Sequence, residues 1–442
     1  MEKKAGELQG IKVLFATVPA DGHFNPLTGL AKHLQQAGCD VRWYTSDIFE
    51  QKLKNMGIPH YTFEKALNLT ALNLDEHIPE RKYITDPLKN ANSLSIHIFA
   101  KRSSEYYEDI LTIQQSFPFE IMISDAMFPA IPLVKQKMNI PVMAIGVIPL
   151  AERSADLAPY AMGLPPAQND KDRIRYAALH DQFINIYLKE SIDYFYETLK
   201  QHGIDVQKSS VPDMLIKQSS LYLQIGTPGF EYRRRDLGSN IRFIGELLPY
   251  SSAKQEKQWS DPRLKAYQKI VFVTQGTVER DTKKIIEPTL QAFQDTDVLV
   301  IATTGGFGTA ELKKKYASEN FIISDYIPYT DVMPHAHAFI TNGGYGGTLL
   351  GLHHKLPIVA GGIHEGKSEI CARIGYFKLG INLKTETPAA EDIKQAVEEV
   401  ISNPVYRANI SSLREEMSNY DPLALCSRYL LELLTPRSSC FF

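Results

Sequence analysis

Three short stretches of this chain carry residue types that could do chemistry. The segment Thr341-Asn342-Gly343-Gly344-Tyr345-Gly346-Gly347-Thr348 places four glycines behind the apolar run AHAFI. Glycines let backbone N–H groups approach a ligand closely. At a helix start those free N–H groups, together with the helix dipole, favour an anion such as phosphate. Gln275-Gly276-Thr277 follows VFVT and can add a further N–H or hydroxyl to the same anion. Asp21-Gly22-His23 follows KVLFATV and offers an imidazole, whose ordinary pKa lies near neutrality. The glycine cluster is not a P-loop, because no Gly-Lys-Ser/Thr follows it. The Gly-x-Gly-x-x-Gly dinucleotide fingerprint is also absent after the first strand.

The elements that must position these stretches read as two α/β halves. KVLFATV is a buried parallel strand, PADGHFNP a loop, LTGLAKHLQQAG a helix and CDVRWYTS a second strand. The helix sets Leu27, Leu30, Ala31, Leu34 and Ala37 on one face, and Gly38 stops it. FEIMISDAM and PVMAIGVIP are further strands, with a helix in FPAIPLVKQKMN between them. Residues 151–170 are rich in Pro and Ala and read as a long surface loop of the kind that is more often functional than idle. FINIYLKESIDYFYETLK follows as a helix bearing aromatic residues. The polar stretch 242–263 reads as an interdomain linker, after which strands recur in KIVFVTQGT, VLVIATT, FIISDYIP, AFITNGG and PIVAGG. LALCSRYLLELL is an amphipathic terminal helix. In open parallel sheets ligands bind beyond the carboxyl ends of the strands, which is where all three chemical stretches fall.

Composition narrows the function classes. The chain has 442 residues, 44% hydrophobic and 22% charged, with a net charge of −3, enough for two or three domains. A pI near 6.5 and the lack of a Lys/Arg block exclude a nucleic-acid partner. Cys39, Cys371, Cys426 and Cys440 are scattered, which implies reduced cytoplasmic thiols rather than disulfides or a zinc site. The start, MEKKAGELQG, has no apolar core of a signal peptide, and no apolar run approaches the ~20 residues of a membrane span. Asp295-Thr296-Asp297 spells a DxD string but precedes a strand, at the wrong end for a ligand. His335, His337, His353, His354 and His364 have no metal-ligand spacing, so no metal is expected.

Taken together, these residues resemble the GT-B fold glycosyltransferases, most closely the family-1 group of plant UDP-glycosyltransferases and bacterial macrolide and flavonoid glycosyltransferases. The resemblance is strongest over 11–45 and 320–370. It implies an α/β chain of two Rossmann-like parallel-sheet domains facing a cleft. The acceptor-binding domain would span 1–240, the linker 241–262 and the nucleotide-sugar domain 263–420, with a helix and tail over 421–442 packing back. Gly22-His23-Phe24-Asn25-Pro26 matches the family's Gly-His pattern with a proline soon after. The resemblance makes His23 the base that deprotonates the acceptor and Asp125 the carboxylate that orients it. The family's donor signature runs over 326–367. It sets Tyr326 against the base and the backbone of Ile327 at the base edge. The N–H groups of Gly343, Gly344, Gly346, Gly347 and Thr348, with Gly276 and Thr277, fall on the phosphates.

Three departures qualify the donor. Asn342 stands where the family has a phosphate-binding histidine, so positive charge must come from the helix N-terminus or from Arg280 or Lys367. Leu350 replaces a ribose-binding glutamate, which favours a deoxyribose nucleotide, dTDP, over UDP. Gly366-Lys367 replaces the Asp-Gln pair that grips glucose, with Glu365 or His364 adjacent, which favours a 6-deoxy sugar such as rhamnose. The resemblance implies a metal-independent inverting transfer to a small hydroxylated aglycone such as a flavonoid, with no cofactor beyond the nucleotide sugar. A cytoplasmic monomer or weak dimer, without membrane insertion, is expected, with hinge closure at the linker. The alternatives are a UDP-glucose-dependent enzyme, a sugar-nucleotide epimerase and a non-catalytic partner protein.

Overall fold

The computed structural model describes residues 6–435 apart from 71–72, 85, 252–258, 277–278 and 365. Thr277, Glu365, Cys440 and much of the linker therefore lie outside the described residues. Seven strands form the first sheet: β1 (Lys12–Ala16), β2 (Asp40–Tyr44), β3 (His60–Tyr61), β4 (Ile121–Asp125), β5 (Val142–Gly146), β6 (Leu221–Gln224) and β7 (Ile241–Phe243). Six form the second: β8 (Lys269–Thr274), β9 (Val298–Thr303), β10 (Phe321–Ser324), β11 (Ala338–Thr341), β12 (Ile358–Ala360) and β13 (Gly380–Asn382). Their orders are β3-β2-β1-β4-β5-β6-β7 and β10-β9-β8-β11-β12-β13, and each neighbouring pair is parallel. Helices cover both faces, so β4, β5 and β9 are buried along their whole length. Among the described residues, no helix is long and apolar enough to cross a membrane.

Both sheets reverse their strand order, the first between β1 and β4, the second between β8 and β11. These are the switch points at which the loops diverge and leave a crevice. His23 follows β1 and Asp125 ends β4; Gln275-Gly276 follows β8 and Asn342 follows β11. The residues singled out for chemistry thus occupy both switch points.

Two boundaries differ from the sequence expectation. The first helix spans Asp21–Gln36, so PADGHFNP is not a loop: His23 lies in the first helical turn, and Pro26 lies inside the helix. The Ala20 carbonyl accepts the His23 and Phe24 N–H groups at 2.9 and 3.0 Å. Phe24 is buried against Trp43 and stacked on Phe49, with ring centroids 4.6 and 4.0 Å away, and this burial draws the segment into the helix. The linker also begins later than 241, because β7 pairs with β6 as the edge of the first sheet. The chain beyond it crosses the first helix, where the Leu248 carbonyl oxygen would lie 2.2 Å from a Cβ at Gly29.

The two halves share one apolar core, with members from β1 and β2, from β8, β9 and β11, and from the C-terminal helices. The Pro404–Met417 and Pro422–Leu434 helices return to the first half. Glu416 Oε1 accepts the Gly229 N–H at 2.9 Å, and His33 Nε2 lies 3.0 Å from Ser427 Oγ. The return thus begins before residue 421. Cys39, Cys371 and Cys426 are buried free thiols, and burial pushes Cys39 to about 11 and Cys371 to about 12.

The strongest tie between the halves is ionic. Arg373, on the Lys367–Tyr376 helix, is buried between Glu231 of the first half and Glu369 one turn before it. Nη2 contacts Glu231 Oε1 at 2.5 Å and Nη1 contacts Glu369 Oε2 at 2.8 Å. Arg234 Nη2 reaches Glu231 Oε1 at 3.1 Å, the Leu150 N–H donates to Glu231 Oε2 at 3.0 Å, and the Arg373 guanidinium covers the Tyr232 ring at 4.2 Å. Burial raises the Glu231 carboxyl, but the Arg373 and Arg234 charges outweigh it and hold the group below its ordinary value.

Arg373→Met leaves two buried carboxylates short of their partner, and should lower unfolding free energy by about 3 kcal/mol at pH 7 in urea titration. A loss below about 1 kcal/mol would show the network to be idle. Because the folded-state pKa of Glu231 is depressed, its contribution is present above the ordinary carboxylate pKa. It is lost as pH falls through the lower folded value, so wild type and variant should converge in acid.

Candidate functional site

On the first half, His23 Nδ1 lies 2.8 Å from Asp125 Oδ1. Asp125 is fully buried and accepts the Val18 N–H on Oδ2 at 2.9 Å and the Met127 N–H on Oδ1 at 2.8 Å. A carboxylate fixed by three donors accepts Nδ1–H and leaves the lone pair on Nε2, which has no hydrogen-bond partner among the described residues. The imidazole keeps 19% of its surface exposed. This is an imidazole backed by an orienting carboxylate, built beside two neighbouring strand ends. Partly exposed apolar residues, Ala20, Phe99, Ile148 and Tyr160, continue the wall of the adjoining core cluster. They suit an uncharged, largely apolar molecule with a hydroxyl at His23.

On the second half, the helix after β11 runs Tyr345–His353 with Gly344 as its N-cap. The N–H groups of Tyr345, Gly346 and Gly347 have no backbone partner among the described residues. Space separates the two possible reasons for these glycines. A Cβ at Gly343, where φ is +82°, would lie 2.6 Å from Cys371 Sγ, so Gly343 is required by conformation and packing. A Cβ at Gly346 meets nothing within 4 Å, and one at Gly344 meets only Asn342 Oδ1 at 4.0 Å. Gly344 and Gly346 therefore leave open the surface that an anion would use.

Two expectations are corrected here. The Thr348 N–H donates to Gly344 O at 2.9 Å within the helix and is closed to a ligand, and its Oγ1 is sealed in the core without a partner. The Gly343 N–H is directed to Thr341 Oγ1 at 3.3 Å. Asn342 acts locally: its Nδ2 donates to the Gln275 carbonyl, tying the loop after β11 to the loop after β8. Gln275 in turn uses its side chain to accept the Ile285 and Ile286 N–H groups, both at 2.9 Å. Gly276 has φ +76° and its Cβ side is open except for Asn342 Oδ1 at 3.9 Å, so it lines the same mouth.

Tyr326, just after β10, is 72% exposed and available as a stacking platform. Ile327 is buried, and its backbone has no backbone partner among the described residues. Leu350 lies one turn along the helix from open Gly346. Lys367 sits beside the cradle and lines a small polar hollow with Asn342, Gly362, Glu279, Lys284 and Glu386. Lys284 reaches Glu279 at 2.7 Å and Glu386 at 3.4 Å, and His364 Nε2 lies 3.2 Å from Glu386 Oε1. Arg280 stacks over Phe307 at 4.7 Å.

Sequence reasoning missed the residues that join the halves. The Tyr345 hydroxyl donates to the Ile225 carbonyl at 2.7 Å and accepts from Gln224 Nε2 at 3.2 Å, so the residue between the glycine pairs fastens the donor loop to the end of β6. Residues 151–169 have no regular structure, as expected, but most of 151–159 is buried, while 160–169 is mostly partly or fully exposed. Their 160–163 turn docks on the Lys367–Tyr376 helix, where Ser368 Oγ donates to Ala161 O and the Gly163 N–H donates to Glu369 Oε1, both at 2.8 Å. A tyrosine in a glycine loop was the one available signal.

Comparison with known proteins agrees with this fold. Residues 289–426 match the family model "Erythromycin biosynthesis protein CIII-like, C-terminal domain". The 4'-demethylrebeccamycin synthase of Lentzea aerocolonigenes is 29% identical, covering 93% of this chain and 97% of its own. UDP-glucosyltransferase 1 of Beauveria bassiana is 27% identical, covering 92% of each. Among solved structures, the calicheamicin glycosyltransferase CalG4 superposes with a TM-score of 0.75 at 17% identity, covering 97% of this chain and 99% of that one. The glycosyltransferase VinC in complex with dTDP superposes at 0.67 and 15% identity, covering 96% and 99%.

Inorganic pyrophosphate should slow amide hydrogen exchange at Gly346 and Gly347 and leave Thr348, already bonded, unchanged. No slowing anywhere in 343–348 would rule out the cradle.

Proposed function

We infer, from this chain's similarity to natural-product and UDP-glycosyltransferases and from its GT-B fold, that it transfers a sugar from a nucleotide diphosphate to a hydroxyl of a small aglycone, with inversion at the anomeric carbon. The observation that carries this reading is the His23–Asp125 pair at one switch point facing the open N–H groups of 345–347 at the other. Nε2 of His23 takes the acceptor proton as the acceptor oxygen attacks the anomeric carbon. The nucleotide diphosphate leaves from the opposite face, and in-line displacement inverts the centre. Asp125 holds the tautomer and stabilises the imidazolium that forms. Negative charge growing on the diphosphate meets preorganised N–H donors, and Arg280 and Lys367 are the nearby cations. This assignment of charge asks for no metal and no cofactor beyond the nucleotide sugar.

For the donor we favour dTDP and a 6-deoxyhexose such as rhamnose. Leu350, one turn from Gly346, offers no acceptor for a ribose 2′-hydroxyl, and a neighbour of the same fold binds dTDP. UDP-glucose is the second reading, favoured by the name of the Beauveria relative. For the acceptor, the apolar wall of Ala20, Phe99, Ile148 and Tyr160 supports a planar phenol such as a flavonoid. Buried thiols support a reducing, cytoplasmic setting.

His23→Ala should lower transfer by about a hundredfold or more while leaving nucleotide affinity unchanged, as measured by product mass and by calorimetry. Full activity in that variant would remove the base assignment. In thermal-shift titration dTDP should stabilise the protein more than UDP at equal concentration, and the reverse order would overturn the Leu350 argument.

A further inference from the structure

The transferred sugar must lie between the cradle at 344–347 and Nε2 of His23, because the diphosphate leaves toward the first and the acceptor is deprotonated by the second. The polar side chains along that seam are few. The Tyr345 hydroxyl and Gln224 Nε2 are committed to each other and to the Ile225 carbonyl. Tyr222 Oη and Gln224 Oε1 are sealed from any ligand, without partners, against the backbone of Gly146. Tyr160 differs from both. Its ring is partly buried on the first half's core, its hydroxyl has no hydrogen-bond partner among the described residues, and it is not among the sealed polar atoms.

The position of that hydroxyl is defined by the opposite domain. Gly366 has φ +79°, and a Cβ there would lie 2.6 Å from Tyr160 Oη. The turn beyond is anchored on both sides by the Ser368–Ala161 and Gly163–Glu369 hydrogen bonds, and Ala161 adopts φ +78°, a conformation that costs a non-glycine residue energy. The Tyr160 hydroxyl is thus a polar group of the acceptor domain, held in place by the donor domain. It lies against Gly366, next to Lys367, which lines the hollow beside Asn342 and Gly362. Burial raises the phenol, and the charges of Glu369, Arg373 and Glu231 around it mark its place at the domain seam.

We propose that Tyr160 is a sugar-positioning residue, its hydroxyl hydrogen-bonding a hydroxyl of the transferred hexose, so that sugar choice is read jointly by both domains. The proposal rests on the glycosyltransferase reading above. It accounts for Gly366 as the residue that makes room for the phenol.

The test compares nucleotide with and without sugar. Tyr160→Phe keeps the ring and its packing, so the melting temperature and the affinities for free dTDP and UDP should not change. Affinity and KM for the nucleotide sugar, probed with dTDP-rhamnose and UDP-glucose, should weaken about five- to tenfold, as expected for one lost hydrogen bond. Gly366→Ala, which presses on the same phenol from the other side, should give the same sugar-specific loss. Equal weakening of dTDP and dTDP-rhamnose, or no weakening of either nucleotide sugar, would overturn the proposal while leaving the glycosyltransferase reading intact. A wild-type protein that binds neither dTDP nor UDP would overturn that reading and this proposal with it.

Discussion

The arrangement of the crevice depends on a buried ion network, Arg373 between Glu231 and Glu369, with Arg234 completing it. Taking four charges out of water is costly, and geometry this close recovers the cost only while the two domains stay together. Around it gather the 160–163 turn, the start of the Lys367–Tyr376 helix and the beginning of the loop after β5. Glu231 also receives the Leu150 N–H, which anchors the irregular 151–169 segment at the same point. The network therefore sets where a turn of the first half meets a helix of the second.

A consequence concerns motion. Two domains joined by a polar linker would be expected to close about a hinge. Here the seam already carries a shared apolar core, the Tyr345 bonds to Gln224 and Ile225, and the Arg373 network. Large apolar interfaces with buried charge resist relative movement more than small polar ones.

The two chemical centres follow from a single topological fact. Each sheet reverses its strand order once, and each reversal leaves neighbouring loops that diverge. The first reversal gives an imidazole and a carboxylate at the ends of adjacent strands, 2.8 Å apart although 102 residues separate them in sequence. The second gives two glycine-bearing loops tied by Asn342 to the Gln275 carbonyl. Asn342 thus acts on the protein's own backbone, which a neutral amide can do, and the cradle is left to N–H donors.

Much of this was legible in the sequence, for physical reasons. Buried parallel strands read as continuous apolar runs, and glycines mark places where backbone must approach something, so the two-sheet architecture, His23, Asp125 and the 343–347 loop could be named from residues alone. Other features could not. The helix start at Asp21 depends on Phe24 finding Trp43 and Phe49, and β7 is a strand only because β6 offers it an edge. Whether a glycine N–H is open is also decided by neighbours: Thr348 and Gly346 differ by one helical hydrogen bond, which no spacing rule reports. The contacts across the seam, Tyr160 on Gly366 and Arg373 on Glu231, join residues about 140 to 200 positions apart, where loop closure rather than local preference determines who meets whom. Sequence by itself determined the chemistry available at each strand end. Tertiary structure alone decided which of those groups remained free to act, because freedom depends on the partners that folding brings to each polar atom.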